Sequence, residues 1–436
     1  MRDKFFALLG IESGEKSTVS MLLTQSVFLG IFFGAFDITA HSLLLSIFDE
    51  KMLARGYVVS GIAGILLISL YSWFKKRLQF RNFAIINLSV VTTLTLFLWS
   101  VLILSPAKWM ILIVFIMLGP LNILALLGFW GTTDRLFIFK QGRKMFRLVD
   151  AGLIIGIIII SYAIPGLLSF KFQLDNFLLV SAFSVFVATI IQIRIGVRLR
   201  LVDRDVEQYP EKSVEEIFLF TVIRKDPYFR IICIFLALSV LSAFFVQYLF
   251  MAVTREQYPA AEDMARFFGF FTGSAMIFIL FFKLVISPYV LHNYGLRTCL
   301  IISPVLVAVF TAIAIAIGLL IGYTPESTSG FLIFFLLLVF SKLFSKFLKN
   351  SIESTSFKVI YQTIDERVKH KLQSGIVGAV NEIATFSSGL ILTFLGVFSF
   401  IKLIHFSLLL FLITIILVFV AFRLYTEFRK AIRKET

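Results

Sequence analysis

Long apolar segments alternate with short polar ones along the whole chain. A helix needs roughly 20 apolar residues to cross a bilayer, and twelve segments reach about that length. None shows the two-residue alternation of a membrane strand, and a helix satisfies its own backbone groups in lipid. The pattern predicts an all-α polytopic membrane protein with twelve spans, at residues 18–48, 56–74, 82–104, 108–131, 147–167, 176–198, 228–253, 264–289, 295–322, 329–350, 372–398 and 402–424.

Composition indicates the same class of protein. Of the 436 residues, 59% are hydrophobic and 15% are charged, whereas about 25% of the residues in soluble domains are charged. The mean hydropathy is +0.96. We therefore exclude a soluble protein and expect the lipid bilayer to be the main partner of the chain.

Lysine and arginine orient the spans, because they are enriched in cytoplasmic loops. A cytoplasmic N-terminus places 33 of the 41 basic residues in the cytoplasm and seven outside, with Lys283 left inside a span. The sequence therefore predicts a protein of the cytoplasmic (inner) membrane with both termini in the cytoplasm. The net charge of +15 follows from this asymmetry, so we expect no nucleic acid partner.

Polar segments divide the chain into two halves. The predicted parts are an N-terminal surface helix, a six-helix bundle, a cytoplasmic connector, a second six-helix bundle and a basic cytoplasmic tail, at 1–17, 18–198, 199–227, 228–424 and 425–436. Ser213 and Glu216 in the connector have the spacing of a capping box, which predicts a short amphipathic helix. Spans 5 and 11 open on related segments, RLVDAGLIIG and KLQSGIVG. Two pseudo-symmetric bundles of six helices are the layout of major facilitator transporters, and we expect a monomer.

Polar side chains inside the spans concentrate in spans 1, 4, 7 and 10, which line the central cavity in the major facilitator arrangement. Charged groups at bilayer depth are costly unless they are paired or hydrated. We therefore expect these side chains to face water or substrate. The candidate substrate-binding residues are Lys342, Lys346, Asn122, Gln247, Tyr248 and, in span 11, Asn381.

Asp37 and His41 lie four residues apart in span 1, on one face of the predicted helix. At about 1.5 Å per residue, Asp37 lies past the bilayer midplane, toward the outside. The two side chains either satisfy each other as a structural pair or form a proton site. In the second case, Asp37 takes up the proton and His41 responds to it.

Further ionisable residues are candidates for coupling and gating. Glu382 in span 11 either forms a buried ion pair with Lys342 or acts as a coupling acid that exchanges partners during transport. Asp150, at the start of span 5, is expected to pair with Arg143 or Arg147 as a cytoplasmic latch. These roles extend the candidate site beyond the groups that contact substrate.

The sequence contains no pattern typical of catalysis or of a metal site. Cys233 and Cys299 lie in separate apolar spans without CxxC spacing, which is typical of small buried side chains. The chain has four histidines, no HExxH motif and no Cys/His cluster, which argues against zinc. We expect no catalytic residues, no cofactor and no enzymatic activity.

Three segments resemble the ATP:ADP antiporter family, the nucleotide translocases of plastids and intracellular bacteria. They are LLGIESGEKSTVSMLLTQSVFLGIFFGAFDITAHSLLLSIF at 8–48, FWGTTDRLFIFKQGRKMFRLVDAGLIIG at 129–156 and VISPYVLHNYGLR at 285–297. The second is the specific one, because an aromatic pair precedes a basic cluster and a glycine-rich span. The resemblance implies a nucleotide translocase-like branch of the major facilitator superfamily, an anionic or phosphorylated substrate, and a cytoplasmic basic cluster at Arg143, Lys144 and Arg147.

Two functions remain open from the sequence. The first is a secondary active transporter that moves an organic anion, such as a nucleotide or another phosphorylated metabolite, by alternating access. Lys342 and Lys346 would attract the anion, and Asp37, His41 and Glu382 would couple protons in a symporter. The alternative is a proton-coupled carrier of a neutral or cationic solute, with Asp37 as the coupling acid. Replacing Lys342 by alanine separates the two, because only the first requires its charge.

Overall fold

The computed structural model describes residues 16–435, apart from 76, 78, 106, 137–138, 199–226, 361–376 and 399. Most of the predicted surface helix and connector therefore lies outside the described residues. All regular elements in the described part are helices. The helices are α1 (Lys16–Ile47), α2 (Glu50–Lys75), α3 (Phe80–Leu104), α4 (Lys108–Leu136), α5 (Phe139–Ser169), α6 (Asn176–Arg198), α7 (Pro227–Gln257), α8 (Ala261–Phe281), α9 (Ser287–Leu320), α10 (Thr328–Leu348), α11 (Val377–Val397) and α12 (Leu403–Glu435).

Eleven helices in the described part of the chain are long and apolar enough to cross a membrane. The remaining predicted span corresponds to α11, whose apolar part, Ile383–Val397, is shorter. Large apolar side chains are exposed along the helices, as Leu66, Phe183 and Phe419 show. Patches of this kind are unfavourable in water and are suited to lipid, so the chain is a multi-pass membrane protein.

Two π-helical segments interrupt the α-helices of the second half. The first, π1 (Phe282–Ile286), joins α8 to α9, and the second, π2 (Lys349–Glu353), follows α10. After π2 the helix continues to Ile360, so the predicted tenth span, which ended at 350, is too short. The last helix likewise continues to Glu435 rather than ending at 424. Hydropathy marks only the part of a helix that lies in lipid, and a helix can extend beyond it.

The helices form two compact units. The described residues of the first unit are 16–47, 59–198 and 260–277, and those of the second are 48–58, 227–259 and 278–435. In the first unit α1 packs against α4, α5 and α6, and α3 packs against α4 and α6. In the second unit α7 packs against α10, α11 and α12, and α9 packs against α10 and α12. Each of these helix pairs in the first unit therefore has a counterpart in the second unit, in which both helix numbers are higher by six. For example, the pair of α1 and α5 corresponds to the pair of α7 and α11.

Glycines bring α1 and α5 into close contact in the first unit. A Cβ atom built on Gly30 would overlap the carbonyl oxygen of Leu153 and lie 2.9 Å from the Cα of Gly156. A Cβ atom on Gly156 would overlap the carbonyl oxygen of Val27. Small residues spaced by four permit such backbone contact between membrane helices. Gly30 and Gly34 in α1 and Gly152 and Gly156 in α5 have this spacing, and each lies against the opposite helix.

A cluster of buried apolar side chains joins α7, α9, the short helix Ser354–Ile360 that follows π2, and α12 in the second unit. Phe235 of α7 and Phe357 of that short helix lie in it with ring centroids 5.5 Å apart. Leu300, Leu417 and Leu424 are almost completely buried beside them. This packing fixes the polar residues of π2 relative to α7.

Candidate functional site

The predicted pair of Asp37 and His41 lies in the first unit. His41 Nδ1 is 3.3 Å from Asp37 Oδ1 and 2.8 Å from the Asp37 carbonyl oxygen. The exposed fraction is 43% for the Asp37 side chain and 5% for the His41 side chain. The His41 ring meets the Phe115 ring of α4 edge-on, with centroids 5.2 Å apart. His41 therefore links α1 to α4, while Asp37 stays partly accessible.

Asn122 of α4 has an unusual environment for a buried amide. It follows Phe115 by seven residues, which is about two helical turns, so both side chains lie on one face of α4. Phe115 contacts α1 through His41. The Asn122 Oδ1 atom is buried and has no hydrogen-bond partner among the described residues. A buried oxygen without a partner is unfavourable, and substrate or water could satisfy it.

Three buried side chains form a hydrogen-bonded joint that connects α1, α6 and α4. Gln25 Nε2 donates to Gln192 Oε1 at 2.9 Å and to the Ala188 carbonyl oxygen at 3.2 Å. Gln192 Nε2 donates to Thr132 Oγ1 at 2.9 Å. All three side chains are fully buried. Their hydrogen bonds therefore connect α1, α6 and α4 inside the first unit.

Lysines form a stripe on the tenth helix of the second unit. Lys342 and Lys346 lie in α10, and Lys349 opens π2. The spacing of four and three residues places them on one side of the helix. All three side chains are partly buried. The stripe concentrates positive charge along one face of a membrane helix.

Glu353, at the end of π2, is a residue that we did not predict to be functional. It is the only buried carboxylate among the described residues, with 5% of its surface exposed. The Ser239 hydroxyl of α7 donates to Glu353 Oε1 at 2.6 Å, and the Lys349 ammonium interacts with the carboxylate electrostatically. Because π-helical segments frequently occur at functional sites, Glu353, Lys349 and Ser239 form the best-defined candidate site, which we call the π2 ion site.

Several groups surround the π2 ion site. π1 packs against π2 and carries Lys283, which is partly buried. α9 also packs against π2 and carries Cys299, which is buried. The rings of Phe282 in π1 and Phe347 in α10 pack together, with centroids 4.4 Å apart. The elements that carry these groups therefore pack around π2.

The other predicted binding residues differ in their surroundings. Tyr248 of α7 is 2% exposed, and its ring lies 4.8 Å from the ring of Phe406 in α12, measured between centroids. Its environment is that of a packing residue. Gln247 of α7 and Asn381 of α11 are partly buried, which leaves part of each amide accessible.

Some of the predicted residues cannot be placed fully. Glu382 lies in α11, but its side chain is outside the described residues. Arg143, Lys144 and Arg147 lie in the first part of α5, and their side chains are also outside the described residues. Asp150 of α5 is partly buried. The latch that would join it to the basic cluster therefore remains a prediction.

Neither cysteine forms a disulfide in the structure. Cys233 is partly buried and Cys299 is buried. In the described part of the chain, no three His, Cys, Asp or Glu side chains are grouped so that they could hold a metal ion.

Comparison with known proteins shows the fold. No protein-family model matches the chain, and no curated protein sequence matches it either. Solved structures of transporters do match over nearly the whole chain. The nucleoside transporter NupG is similar with a TM-score of 0.66 and 15% identity, over 94% of this chain and 99% of that one.

Two other transporters are similar to a comparable degree. A D-xylose-proton symporter matches with a TM-score of 0.63 and 13% identity, over 94% of this chain and 97% of that one. A bacterial homologue of the iron transporter ferroportin, in an inward-facing state, matches with a TM-score of 0.62 and 16% identity, over 94% and 98%. At such identities the likeness shows the fold alone, and the chain has the major facilitator fold.

Proposed function

We propose that this chain is a secondary active transporter that moves an organic anion across the cytoplasmic membrane by alternating access. It would act as a monomer without a cofactor, with twelve spans in two pseudo-symmetric bundles and both termini in the cytoplasm. Two findings support this proposal. The same helix packings recur in both units, and the solved structures of the same fold are transporters.

The stripe of Lys342, Lys346 and Lys349 is the observation that carries the proposal. Each ammonium in a membrane span is unfavourable by about 3 kcal/mol or more, and ionisable groups in spans commonly mark substrate pathways. Three cationic side chains on one helix face raise the electrostatic potential along that face. Such a potential favours an anionic substrate over a neutral or cationic one.

The resemblance of residues 129–156 to nucleotide translocases supports a phosphorylated substrate, with a nucleotide as the first choice. In this proposal Lys342 and Lys346 bind the anion. The amides of Asn122, Gln247 and Asn381 orient the substrate through hydrogen bonds, and the free carbonyl oxygen of Asn122 suits an N–H donor. Tyr248 is buried against Phe406 and stabilises the packing of α7 against α12.

Coupling is assigned to acidic groups. Moving one negative charge into a cell against 100 mV requires about 2.3 kcal/mol, so uptake of an anion needs a coupled cation or an exchanged anion. The buried carboxylate of Glu353 is the proton carrier in this proposal, and Ser239 and Lys349 hold it in place. Glu382, Asp37 and His41 are further coupling groups.

A second candidate function follows from the Asp37–His41 pair. A carboxylate that is 43% exposed in a span and lies 3.3 Å from an imidazole can accept a proton or contact a cationic solute. The function would then be proton-coupled transport of a neutral or cationic solute. The similar structures include a nucleoside transporter and a D-xylose-proton symporter, which are consistent with it.

A thermal-shift screen of the purified protein distinguishes the two candidates. A ligand that binds only the folded state raises the apparent stability in proportion to ln(1 + [L]/Kd). We expect nucleotides, sugar phosphates or carboxylates to raise the melting temperature, and nucleosides and free sugars to leave it unchanged. The reverse result would reject the anion proposal.

The Lys342→Gln variant tests whether the lysine stripe binds the anion. It should weaken anion binding at least about tenfold, because a charge-assisted contact is lost. Lys108→Gln is the matched control, since Lys108 is exposed at the start of α4. Equal binding by both variants would show that the lysine stripe does not bind the anion.

A further inference from the structure

A basic cleft lies at one end of the second unit, where α9 and α12 pack together. Its volume is about 400 Å³, which falls within the range of small-molecule sites. The six residues that line it are Arg297, Phe422, Tyr425, Thr426, Arg429 and Lys430. Three are cations and none is acidic, so the described lining attracts anions.

The cations of the cleft differ in how many of their hydrogen-bond donors are already occupied. The Arg297 guanidinium lies over the Phe422 ring, 4.9 Å from its centroid, and a stacked guanidinium keeps its N–H groups at its edge for other acceptors. Lys430 donates to Glu427 at 2.8 Å, which leaves two of its three protons. Arg429 is exposed.

Buried neighbours fix the two arginines in position. Leu296, directly before Arg297, and Phe428, directly before Arg429, are both buried in the apolar cluster of the second unit. Gly295, with φ of 74°, bends the chain where the main part of α9 begins. The backbone that carries each guanidinium is therefore part of the packed core rather than of a loose surface.

The cleft lies at the depth of lipid headgroups. About 20 residues of α12 cross the hydrocarbon, which takes the helix from Leu403 to the region of Phe422. The next two turns, with Tyr425 and Arg429, extend into the headgroup layer. Phe422 is 37% exposed at the boundary between the two layers. The cleft thus combines an apolar side chain, Phe422, with the exposed cations Arg429 and Lys430.

We propose that this cleft binds a phosphate group, which either the headgroup of an anionic phospholipid or a free phosphorylated molecule can carry. The planar fork of arginine matches phosphate oxygens in pairs, and basic pockets at the ends of membrane helices bind anionic headgroups. The described lining of the site comes from α9 and α12, and the proposal stands or falls independently of the transported substrate.

The test uses the full-length protein in nanodiscs of zwitterionic phosphatidylcholine. Phosphatidylglycerol is titrated into the discs in one arm, and inorganic phosphate is added to the buffer in the other. Binding is measured by native mass spectrometry and by the melting temperature. The variant is Arg297→Gln/Arg429→Gln, and the control is Arg423→Gln, because Arg423 is exposed on α12 but does not line the cleft.

We expect the double variant to bind phosphatidylglycerol roughly 25-fold more weakly, about fivefold for each removed cation, and the control to bind like the parent. Stabilisation by inorganic phosphate that the double variant loses would identify a site for free phosphate groups. Equal affinity in all three proteins, or an equal loss in the control, would overturn the proposal. If the double variant folds poorly, Arg429→Lys keeps the charge but loses the planar fork, so it should bind phosphatidylglycerol more weakly than the parent. Equal binding by Arg429→Lys and the parent would then contradict the paired contact.

Discussion

Glu353 shows how a single ionisable side chain can be accommodated inside a membrane helix. Its carboxylate has a hydroxyl donor from a second helix, Ser239, and a counter-charge about one turn away, Lys349. Each partner reduces the free-energy penalty of the buried charge, and protonation of Glu353 would remove the attraction that holds Lys349. The site therefore has two states of different charge, which coupling requires.

We predict that Glu353→Gln separates coupling from transport. The amide has the shape of the acid and can still accept the Ser239 hydroxyl hydrogen, but it cannot exchange a proton. In proteoliposomes loaded with substrate, accumulation driven by a pH gradient should fall at least about tenfold, while substrate exchange at equal pH continues. Accumulation that remains at the level of the parent protein would exclude Glu353 as the proton carrier.

Stability provides the control for this variant. Lys349 loses the charge of a neighbouring carboxylate in Glu353→Gln, so this variant should be less stable than the parent protein. Lys349→Gln/Glu353→Gln removes both charges and should recover much of the lost stability, measured by thermal unfolding. If it restores stability but not accumulation, the defect lies in coupling rather than in folding.

The sequence could not identify Glu353 because its surroundings look like a loop. NSIESTS at 350–356 is polar and follows an apolar run, so hydropathy ends the span at 350. In the structure the hydroxyls of this segment bond to carbonyl oxygens of their own helix, as Ser351 does to Phe347 and Thr355 to Ser351. The available signal was the spacing of Lys349 and Glu353, which is that of a helical ion pair.

At the level of helices, the contact of α1 with α5 depends on glycine. The atoms next to Gly30 and Gly156 are backbone atoms of the opposite helix, and backbone cannot rotate away from an added methyl group. Either the two helices move apart or the variant is strained. Gly61 and Gly64 of α2, by contrast, have open space where a Cβ would lie.

We predict that Gly156→Ala destabilises the protein by about 1–3 kcal/mol, which is typical of overpacking. Gly64→Ala is the matched control in another membrane helix, and it should be neutral or stabilising by up to about 1 kcal/mol, because alanine favours the helix. Thermal unfolding in detergent measures both. Similar melting temperatures for the two variants would contradict the close contact of α1 and α5.

The positions of most helices follow from hydropathy, but their irregularities do not. Runs of about 20 apolar residues predict the spans because lipid selects for them. The start of α2 at Glu50 and the extension of α12 to Glu435 are set by hydrogen bonds in polar segments, which hydropathy does not detect. Hydropathy does not mark π1 or π2 either, since a π-helical turn is a rare single-turn bulge inside an otherwise regular helix.

The two units repeat one packing scheme although their sequences have little in common. The contacts of α1 with α5 correspond to those of α7 with α11, and the contacts of α3 with α6 correspond to those of α9 with α12. Only short segments such as RLVDAGLIIG and KLQSGIVG suggested the repeat. Many apolar combinations fill the same space, so architecture persists where sequence similarity fades. The spacing of four residues predicted the contact of Asp37 with His41 inside one helix, whereas a partner on a different helix, such as Ser239 for Glu353, was not predicted.

The orientation of the whole molecule remains a prediction from the distribution of lysine and arginine, and it can be tested with cysteine labelling. Glu326, in the turn before α10, and Gln79, before α3, are both exposed. The positive-inside rule places Glu326 outside and Gln79 in the cytoplasm. In intact cells, a membrane-impermeant maleimide should label Glu326→Cys and spare Gln79→Cys, and lysis should expose both. Cys233 and Cys299, at least partly buried, provide the unlabelled background. Labelling of Gln79→Cys alone in intact cells would show that the topology is inverted. The substrate would then have to reach the lysine stripe of α10 from the opposite side of the membrane.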